Sequence, residues 1–304
     1  MLKPKKTSSL TIGIPTCYGG ESLLATIKTI RQSKDVEFNR LIIVADRTPI
    51  SKSIKKELQD MGVELYWNEK EGSQFKKIKQ MVDMAKSDIF ISTQDDIPFP
   101  PQTIAEIVKA FKENQNLTMV GVRVLPLKPE TFFESIMASL IRAIDRISQH
   151  WNKKQNYLAA SGRCLAFRTS HLKKFRIPEK IVNGDMFLYL ENKRLGGTFI
   201  RPNEAVVYIR APQGIKDQTG PSSRFQYSER EMTSIFGLEA AQEYRIPKLA
   251  LFMGTLEEFL HHPISMGLYP FVYLYTRLKK QPQSKVVDPV WDIDTSTKQT
   301  LNKT

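Results

Sequence analysis

Short apolar runs alternate with amphipathic segments along roughly the first hundred residues of the chain. The runs predict buried strands at 10–15, 41–45, 63–67 and 89–92, and the segments between them carry apolar residues at helical spacing. Strands that alternate with helices at these lengths are typical of parallel βαβ units. We therefore predict half of a doubly wound, nucleotide-binding α/β sheet in this part of the chain.

Acidic residues stand at the ends of three apolar runs. Asp46 ends IIVAD, the pair Asp95 and Asp96 ends IFISTQDD, and Asp185 follows IVNG. Residues just beyond buried strands lie at the carboxyl edge of a sheet, where open α/β sheets bind their ligands. A carboxylate pair there could hold Mg²⁺ or Mn²⁺ on a diphosphate, while a distant third carboxylate acts as a base. Transfer of a sugar from a nucleotide needs this arrangement.

The pattern changes after Pro100 and Pro101. A broad apolar stripe from Phe132 to Ile147 predicts a helix of about five turns, and LAASGRCLAFR predicts a strand that returns to the sheet. The remaining predictions are helices at 103–114 and 185–195 and strands at 118–125, 198–201 and 205–209.

Composition limits the class of protein and of partner. Hydrophobic residues make up 41% and charged residues 25% of the 304 residues, as in ordinary folded proteins. The net charge of +13 favours an anionic partner, which could be a nucleotide diphosphate, acidic lipid or nucleic acid. The lysines are spread over ordinary helix surfaces without interleaved aromatic residues, so we expect no nucleic-acid partner.

Cysteine content and the first residues bear on the compartment. Cys17 and Cys164 are too few for a metal framework, and we expect both to be reduced thiols. The opening MLKPKKTSSL has no apolar stretch long enough for a signal peptide. We expect a cytoplasmic protein at the inner face of a membrane.

Several segments together resemble family 2 glycosyltransferases, which have the GT-A fold. They are IGIPTCYGG, IIVADRTP, DIFISTQDDIPFPPQTI, SGRCLAFR and GDMFLYLENKRLGGTFIRPNEAVVY, and the resemblance covers about residues 10–230. It implies a GT-A type, Rossmann-like mixed sheet flanked by helices, with an amphipathic helical appendage at the C-terminus. It also implies an inverting transfer from a nucleotide-sugar donor.

The resemblance assigns roles to individual residues. Pro15, Thr16, Tyr18 and Asp46 would bind the donor base or ribose, with Asp95 on the ribose and Asp95 and Asp96 on the metal. Asp185 would be the general base. SSRFQYSERE falls where some members bind the diphosphate, so Arg224 and Arg230 are candidates to stabilise it.

The chain departs from the family pattern at three positions. Arg47 stands where a second Asp usually follows Asp46, Thr93 occupies the first position of the DXD motif, and Gly184 replaces the Glu of the ED pair. No Trp completes a Q-x-x-R-W segment, which argues against a processive polymerase. A degenerate, inactive relative is therefore one alternative.

Each candidate residue also has a structural alternative. Asp46 and the pair Asp95–Asp96 could cap turns, Asp185 could be a first-turn acid favoured by the helix dipole, and Tyr18 could only pack on the surface. Two other functions stay open as well. One is a nucleotidyltransferase, although TCYGGES lacks its basic Gly-rich loop, and the other is a non-catalytic binder of anionic ligands.

The segment PISMGLYPFVYLYT at 263–276 is apolar and aromatic but shorter than the about 20 residues that span a bilayer. It ends beside Arg277, Lys279 and Lys280, a combination that suits a membrane interface and a lipid-linked or glycan acceptor. The alternative is that this segment and the Phe132–Ile147 stripe both cover the sheet and contact each other.

We accordingly divide the chain into five parts. They are a basic tail at 1–9, a nucleotide-sugar-binding half at 10–125, an acceptor-binding and catalytic half at 126–235, a helical and membrane-interfacial segment at 236–280, and a polar tail at 281–304. We expect the polar tail to lack fixed structure.

Overall fold

A computed structural model describes residues 9–279 and 283–290, where strands from both halves of the chain form one seven-stranded sheet. The strands are β1 (Leu10–Thr16), β2 (Arg40–Ala45), β3 (Glu64–Trp67), β4 (Ile89–Thr93), β5 (Met119–Gly121), β6 (Arg123–Pro126), β7 (Cys164–Arg168), β8 (Phe199–Ile200) and β9 (Val206–Ile209). The order in the sheet is β3-β2-β1-β4-β7-β5-β8, and β6 pairs with β9 separately. β1 to β4 run parallel, whereas β7 is antiparallel to β4 and β5.

Helices flank this sheet and continue beyond it. They are α1 (Glu21–Arg31), α2 (Lys52–Asp60), α3 (Gln74–Met84), α4 (Thr103–Glu113), α5 (Phe132–His150), α6 (Thr169–Leu172), α7 (Gly184–Arg194), α8 (Ile215–Phe236), α9 (Leu238–Glu243), α10 (Lys248–His261), α11 (Pro263–Leu278) and α12 (Gln283–Val286). The predicted βαβ alternation and the returning strand are confirmed, with ends that shift by two residues or fewer for most elements.

The sheet is covered on both faces, which explains the uninterrupted apolar runs. Successive side chains of β2 alternate between the two main apolar clusters: Leu41 and Ile43 face α1, α2 and α4, while Ile42 and Val44 face α3 and α7. Strands buried on both faces read as continuous Val, Ile and Leu. The carboxyl ends of the parallel strands are thereby fixed in one line.

The single strand predicted at 118–125 is wrong, because the chain divides there into β5 and β6. β5 pairs with β7 and β8 inside the large sheet, and β6 leaves it to pair with β9. Gly121 ends β5 in close packing, where an added Cβ would lie 2.4 Å from the carbonyl oxygen of Ala159. The apolar run continues through both strands, so sequence alone does not reveal the break.

The C-terminal helices pack on α5 instead of on the sheet. Gly254 of α10 contacts the backbone of Ile147, and Val272 of α11 joins a small cluster with Ile136 and Met137. The contact between the two apolar segments that the alternative expected is therefore present, but the second segment covers α5 and not the sheet. No helix in the described part of the chain is long and apolar enough to cross a membrane.

The two predicted tails lie largely outside the described residues. For the tail at 1–9, only Ser9 is described, and for the tail at 281–304 the structure describes 283–290. Helix α12 lies within that stretch and buries Val286, so the expected lack of structure is wrong for this part of the tail. Val286 is an apolar anchor in an otherwise polar sequence, and burying one such side chain offsets part of the ordering cost.

Candidate active site

A cleft of about 750 Å³ opens at the carboxyl ends of β1, β2 and β4. Pro15, Thr16, Asp95 and Asp96 line it on the sheet side, and Asp185 lines it from the start of α7. α5 and α8 form the opposite side. The topology thus brings the predicted acidic pair and the predicted base into one cavity, at the sheet edge where the sequence placed them.

Asp95 and Asp96 are both buried in the turn after β4. The Thr16 hydroxyl donates a short hydrogen bond to Oδ2 of Asp95 and accepts one from the Gly19 amide at 3.0 Å. Oδ1 of Asp96 lies 3.9 Å from Nη1 of Arg163. The end of β1 therefore positions Asp95. Thr16, predicted as a contact of the donor, also orients this carboxylate.

Thr93, at the first position of the motif, does not line the cleft. Its side chain is fully buried and its hydroxyl donates to the carbonyl of Arg163 on the way into β7, at 2.8 Å. A carboxylate would repel that carbonyl oxygen. The Thr93 hydroxyl, unlike an ionised carboxylate, can donate to this carbonyl.

The donor set at Asp95 and Asp96 suits a hard divalent cation. Mg²⁺ binds through one or two carboxylates and takes its other ligands from water and substrate phosphates. Within the described residues, no three His, Cys, Asp or Glu side chains cluster as metal ligands. The two carboxylates on the cleft therefore fit a cation that arrives with a diphosphate, and not a cation held wholly by protein.

Two backbone amides hold Asp185 in place. The Gly162 amide donates to Oδ2 at 3.1 Å, and the Met186 amide donates to Oδ1 at 2.9 Å. The side chain is partly exposed and lines the cleft. Its carboxylate is thus fixed in direction while it remains accessible to a substrate hydroxyl.

Gly184 is glycine because Phe75 occupies the space beside it. An added Cβ would lie 1.6 Å from the Phe75 ring, and that ring is itself buried. The Glu of the usual pair has no room here. The departure at 184 therefore comes from packing between α3 and α7, and it leaves Asp185 in position.

Asp46 is enclosed instead of lining the cleft. Lys77 Nζ lies 2.7 Å from its Oδ1, and the Gly72 amide donates to Oδ2 at 2.9 Å. Lys77 and the neighbouring Arg47 do line the cleft. Asp46 thereby ties the loop before α3 to the end of β2 and orients a cation toward the cavity.

Arg47 adopts a left-handed backbone conformation, with φ of 60°. Such a conformation costs free energy in a residue other than glycine and tends to occur at functional sites. The guanidinium Nε lies 3.7 Å from Oε2 of Glu71. The residue that replaces the second Asp of the family therefore adds positive charge to the cleft.

The other predicted donor residues divide between cleft and surface. Arg224 of α8 lines the cleft, whereas Arg230 is exposed and does not, because six residues along a helix turn the side chain away. Tyr18 is also outside the cleft lining, and its ring covers the position that a Cβ on Gly20 would take.

Three further cations, which were not predicted from the sequence, line the cleft: Arg163, Arg210 and Lys216. Arg210 follows β9 directly, so the strand-end rule applied to the acids would have found it. Its guanidinium pairs with Glu130 and Glu134, with N···O distances of 3.0 and 3.2 Å. Arg163 donates to Oε1 of Gln94 at 2.6 Å, beside the acidic pair.

One wall of the cleft is aliphatic. Met137, Leu140, Ile141 and Ile144 of α5 line it, at spacings that place them on one face of the helix. Arg142 and Arg146 extend from the opposite face toward α10, where they bind Glu258. The cavity is therefore charged at the sheet edge and apolar along α5.

Comparison with known proteins agrees with this geometry. The family model described as glycosyl transferase family 2 matches residues 11–176, more than half of the chain. The chain therefore belongs to glycosyl transferase family 2. This membership favours a glycosyltransferase over the nucleotidyltransferase alternative. No curated protein sequence is a significant match.

Solved structures share the fold at low sequence identity. A mannosyltransferase, PcManGT from Pyrobaculum calidifontis, solved with GDP-Man and Mn²⁺, has a TM-score of 0.51 and 14% identity, over 93% of this chain and 81% of that one. Glucosyl-3-phosphoglycerate synthase from Mycobacterium tuberculosis, with Mn²⁺, UDP and phosphoglyceric acid, has 0.52 and 12%, over 75% and 78%. The predicted GT-A fold with C-terminal helices is confirmed.

Proposed function

We propose that this family 2 glycosyltransferase moves one sugar from a nucleoside diphosphate sugar to an acceptor hydroxyl, with inversion at the anomeric carbon. The observation that carries the proposal is the meeting of Asp95, Asp96 and Asp185 in one cleft. On this view residues 10–125 bind the nucleotide sugar and residues 126–235 supply the base and the acceptor site.

The acidic pair would hold Mg²⁺ or Mn²⁺ together with phosphate oxygens of the donor. When bound, such a cation neutralises the charge that grows on the leaving diphosphate. The GDP-Man and UDP complexes of the two similar structures, both with Mn²⁺, support this choice. Asp95 would also contact the ribose, while its hydrogen bond from Thr16 keeps the carboxylate facing the cleft.

Asp185 would take the proton from the acceptor hydroxyl. The acceptor oxygen then forms a bond to the anomeric carbon on one face as the bond to the diphosphate oxygen breaks on the other. The amides of Gly162 and Met186 keep the carboxylate aimed at the incoming hydroxyl. Positioning of this kind contributes to general-base catalysis together with the proton transfer itself.

Cations around the cleft would bind the diphosphate as it leaves. Arg224 and Lys77 line the cleft, and Arg163 lies beside Asp96. Pro15, Thr16 and Tyr18 are proposed contacts of the nucleoside. For Asp46 the enclosure by Lys77 favours an indirect contribution through that cation, and the exposure of Arg230 favours Arg224 as the diphosphate ligand.

The aliphatic wall supports an acceptor with an apolar portion. Leu140, Ile141 and Ile144 are only partly buried and face the cavity that the donor would share. A purely polar glycan would leave this wall in contact with water, whereas a lipid-linked acceptor would cover it. We therefore propose a lipid-linked acceptor, met at a membrane surface on the cytoplasmic side.

Nucleotide binding tests the donor site directly. Thermal shift with UDP, GDP or dTDP, with and without Mn²⁺, should show stabilisation by one nucleotide that depends on the metal and is lost in Asp96→Ala. Asp83→Ala is a matched control, since Asp83 is an exposed carboxylate on α3 outside the cleft lining. No response of the wild type to any nucleotide would overturn the proposal.

The base is tested separately from binding. Asp185→Asn should keep the metal-dependent nucleotide shift but release nucleotide from UDP-glucose or GDP-mannose about 10²–10⁴-fold more slowly. Whichever donor the wild type hydrolyses serves as the probe. Unchanged turnover in this variant would remove Asp185 from the mechanism.

A further inference from the structure

The hairpin of α10 and α11 turns large apolar side chains toward solvent. Six of them are between 61% and 75% exposed: Leu249, Phe252, Leu260, Ile264, Phe271 and Leu278. We call these six residues the outer face. Folded domains rarely present so many large apolar groups side by side unless a partner covers them.

The outer face does not result from incomplete packing of the hairpin. The hairpin already buries its other side, with Ala250 and Gly254 of α10 and Val272 of α11 against α5 or its neighbours. Along α11, Ile264, Phe271 and Leu278 recur every seven residues, which puts them on one stripe. The hairpin therefore carries two apolar stripes, one covered by α5 and one open.

Charge around the outer face has one sign. Between residues 245 and 279 the acids are Glu257 and Glu258, and both are paired with Arg146 on α5. The cations of the same stretch are all exposed: Arg245 lies just before α10, Lys248 begins it, and Arg277 and Lys279 lie at the end of α11. Apolar stripes edged by Lys and Arg suit the interface of a bilayer that contains acidic lipids.

We propose that the outer face docks the protein on an anionic bilayer, with α10 and α11 lying in the plane of the interface. The 16 residues of α11 extend roughly 24 Å, less than the hydrocarbon core. Its apolar side chains would enter the acyl boundary while Arg277 and Lys279 contact headgroup phosphates. The chain's net charge of +13 adds to this attraction.

A second copy of the chain fits the same face less well. A two-fold interface would bring two copies of the same surface together, so two faces that both carry exposed cations would meet. Like charges at such a contact oppose association, whereas acidic headgroups neutralise them.

Docking on this face would place the active site beside the membrane. α5 presents Leu140 and Ile144 to the cleft and Arg142 and Arg146 to α10, on opposite sides of one helix. Met137 of the aliphatic wall also packs in one cluster with Val272 of α11, so the outer face, on the far side of α11, lies about one helix diameter of 10 Å beyond the wall. This last step rests on the proposed function, because it gives a lipid-linked acceptor a short path to Asp185.

Vesicle co-sedimentation of the full chain tests the docking. We expect binding to vesicles of phosphatidylcholine with 30% phosphatidylglycerol to be at least about tenfold tighter than to phosphatidylcholine alone. Phe252→Ser with Phe271→Ser should reduce that binding by about tenfold or more. Trp67→Ser, at an exposed position on β3, is the matched aromatic control and should bind like the wild type.

A charge variant separates the two components of binding. Arg277→Glu with Lys279→Glu should weaken binding to anionic vesicles at 0.1 M salt by about tenfold, with a smaller difference at 1 M. Far-UV circular dichroism and the nucleotide thermal shift should be unchanged in every variant. They report folding and the donor site, so failure of docking and failure of the proposed function are distinguishable.

Two results would overturn the docking proposal. One is equal sedimentation of the wild type and the double Ser variant with anionic vesicles. The other is a wild type that does not bind vesicles and is dimeric by light scattering, while the double Ser variant is monomeric. That result would assign the outer face to self-association.

Discussion

The parallel strands and the C-terminal hairpin differ in how far they bury the same kinds of apolar residue. In β1, β2 and β4 the large apolar side chains are at most 1% exposed, whereas Leu260 and Leu278 on the hairpin are 70% and 75% exposed. Buried carboxylates occur in both regions, Asp46 beside Lys77 and Glu258 beside Arg142 and Arg146. The apolar faces of the sheet are thus covered within the chain, while the hairpin is covered only on the side that faces α5.

The comparison teaches that burial, not residue type, distinguishes scaffold from contact surface. The sheet can carry charged residues at its ends because apolar packing holds every strand in place. The hairpin is held by fewer apolar contacts and by charged hydrogen bonds to one helix. Four pairs of matched measurements would break or sharpen this contrast.

The largest difference is expected between the two buried carboxylates. Asp46→Asn leaves the Lys77 ammonium, only 3% exposed, without its counter-charge and should lower the free energy of unfolding by about 3–5 kcal/mol. Glu258→Gln leaves arginines that are about a fifth exposed and should cost about 1–2 kcal/mol. Urea unfolding of both variants checks the order.

A double variant controls for the first prediction. Asp46→Asn with Lys77→Met removes the uncompensated charge and should recover most of the lost stability. If Asp46→Asn alone were as stable as the wild type, Lys77 would not depend on that carboxylate, and the two regions would not differ in this respect.

The same leucine truncation should have unequal effects in the two regions. Leu41→Ala removes a side chain that is 1% exposed on β2 and should cost about 2–5 kcal/mol in free energy of unfolding. Leu260→Ala on the hairpin should change it by about 0.5 kcal/mol or less. Equal losses at 41 and 260 would mean that the outer face is covered within the chain.

Two glycines test packing density. Gly184→Ala places a methyl group against the buried Phe75 ring and should lower the free energy of unfolding by about 1–3 kcal/mol. Gly267→Ala meets only Phe259, at 3.8 Å, and should raise it by up to about 1 kcal/mol through helix propensity. Thermal unfolding measures both, and adding Phe75→Leu to Gly184→Ala should restore part of the loss if the ring is the cause.

The smallest effect is a difference in pH dependence. Burial lowers the pKa of His171 behind β7, and the charge of Lys174 acts in the same direction, while a hydrogen bond with Asn192 opposes them. The neutral imidazole therefore contributes stability that is complete above pH 6.5, its ordinary pKa, and declines as the pH falls below that value. On α10, by contrast, a hydrogen bond from His150 lowers the pKa of Glu257, with Arg146 assisting, so its contribution persists until the pH falls below about 4.5.

Urea unfolding at pH 7.5 and pH 5.5 measures this difference. The wild type should lose at most about 1.4 kcal/mol per pH unit through His171, and His171→Gln should show a flatter dependence. Glu257→Gln should leave the slope in this range unchanged. An equally steep slope in His171→Gln would assign the pH dependence to other groups.

Much of the sheet and half of the site could be predicted from the sequence. An apolar run such as LIIVA predicts the strand β2 without knowledge of its neighbours, because a strand buried on both faces needs uninterrupted apolar residues. The rule that the ends of parallel strands meet at one edge then placed Asp95 and Asp96 at the edge where the cleft opens. The same rule placed Asp46 at that edge but gave no sign of Lys77, which lies 31 residues further along and reaches it only through the packing of α3.

What the sequence by itself determined is therefore local: which segments form strands and helices, and which acids stand at strand ends. The tertiary structure alone decided that Phe75 excludes a side chain at 184, that Arg163 joins the acidic pair, and that α10 and α11 turn one apolar stripe outward. The physical reason is that periodicity shows that a helix has an apolar face, whereas the neighbour that covers this face is chosen by contacts between residues far apart in the chain.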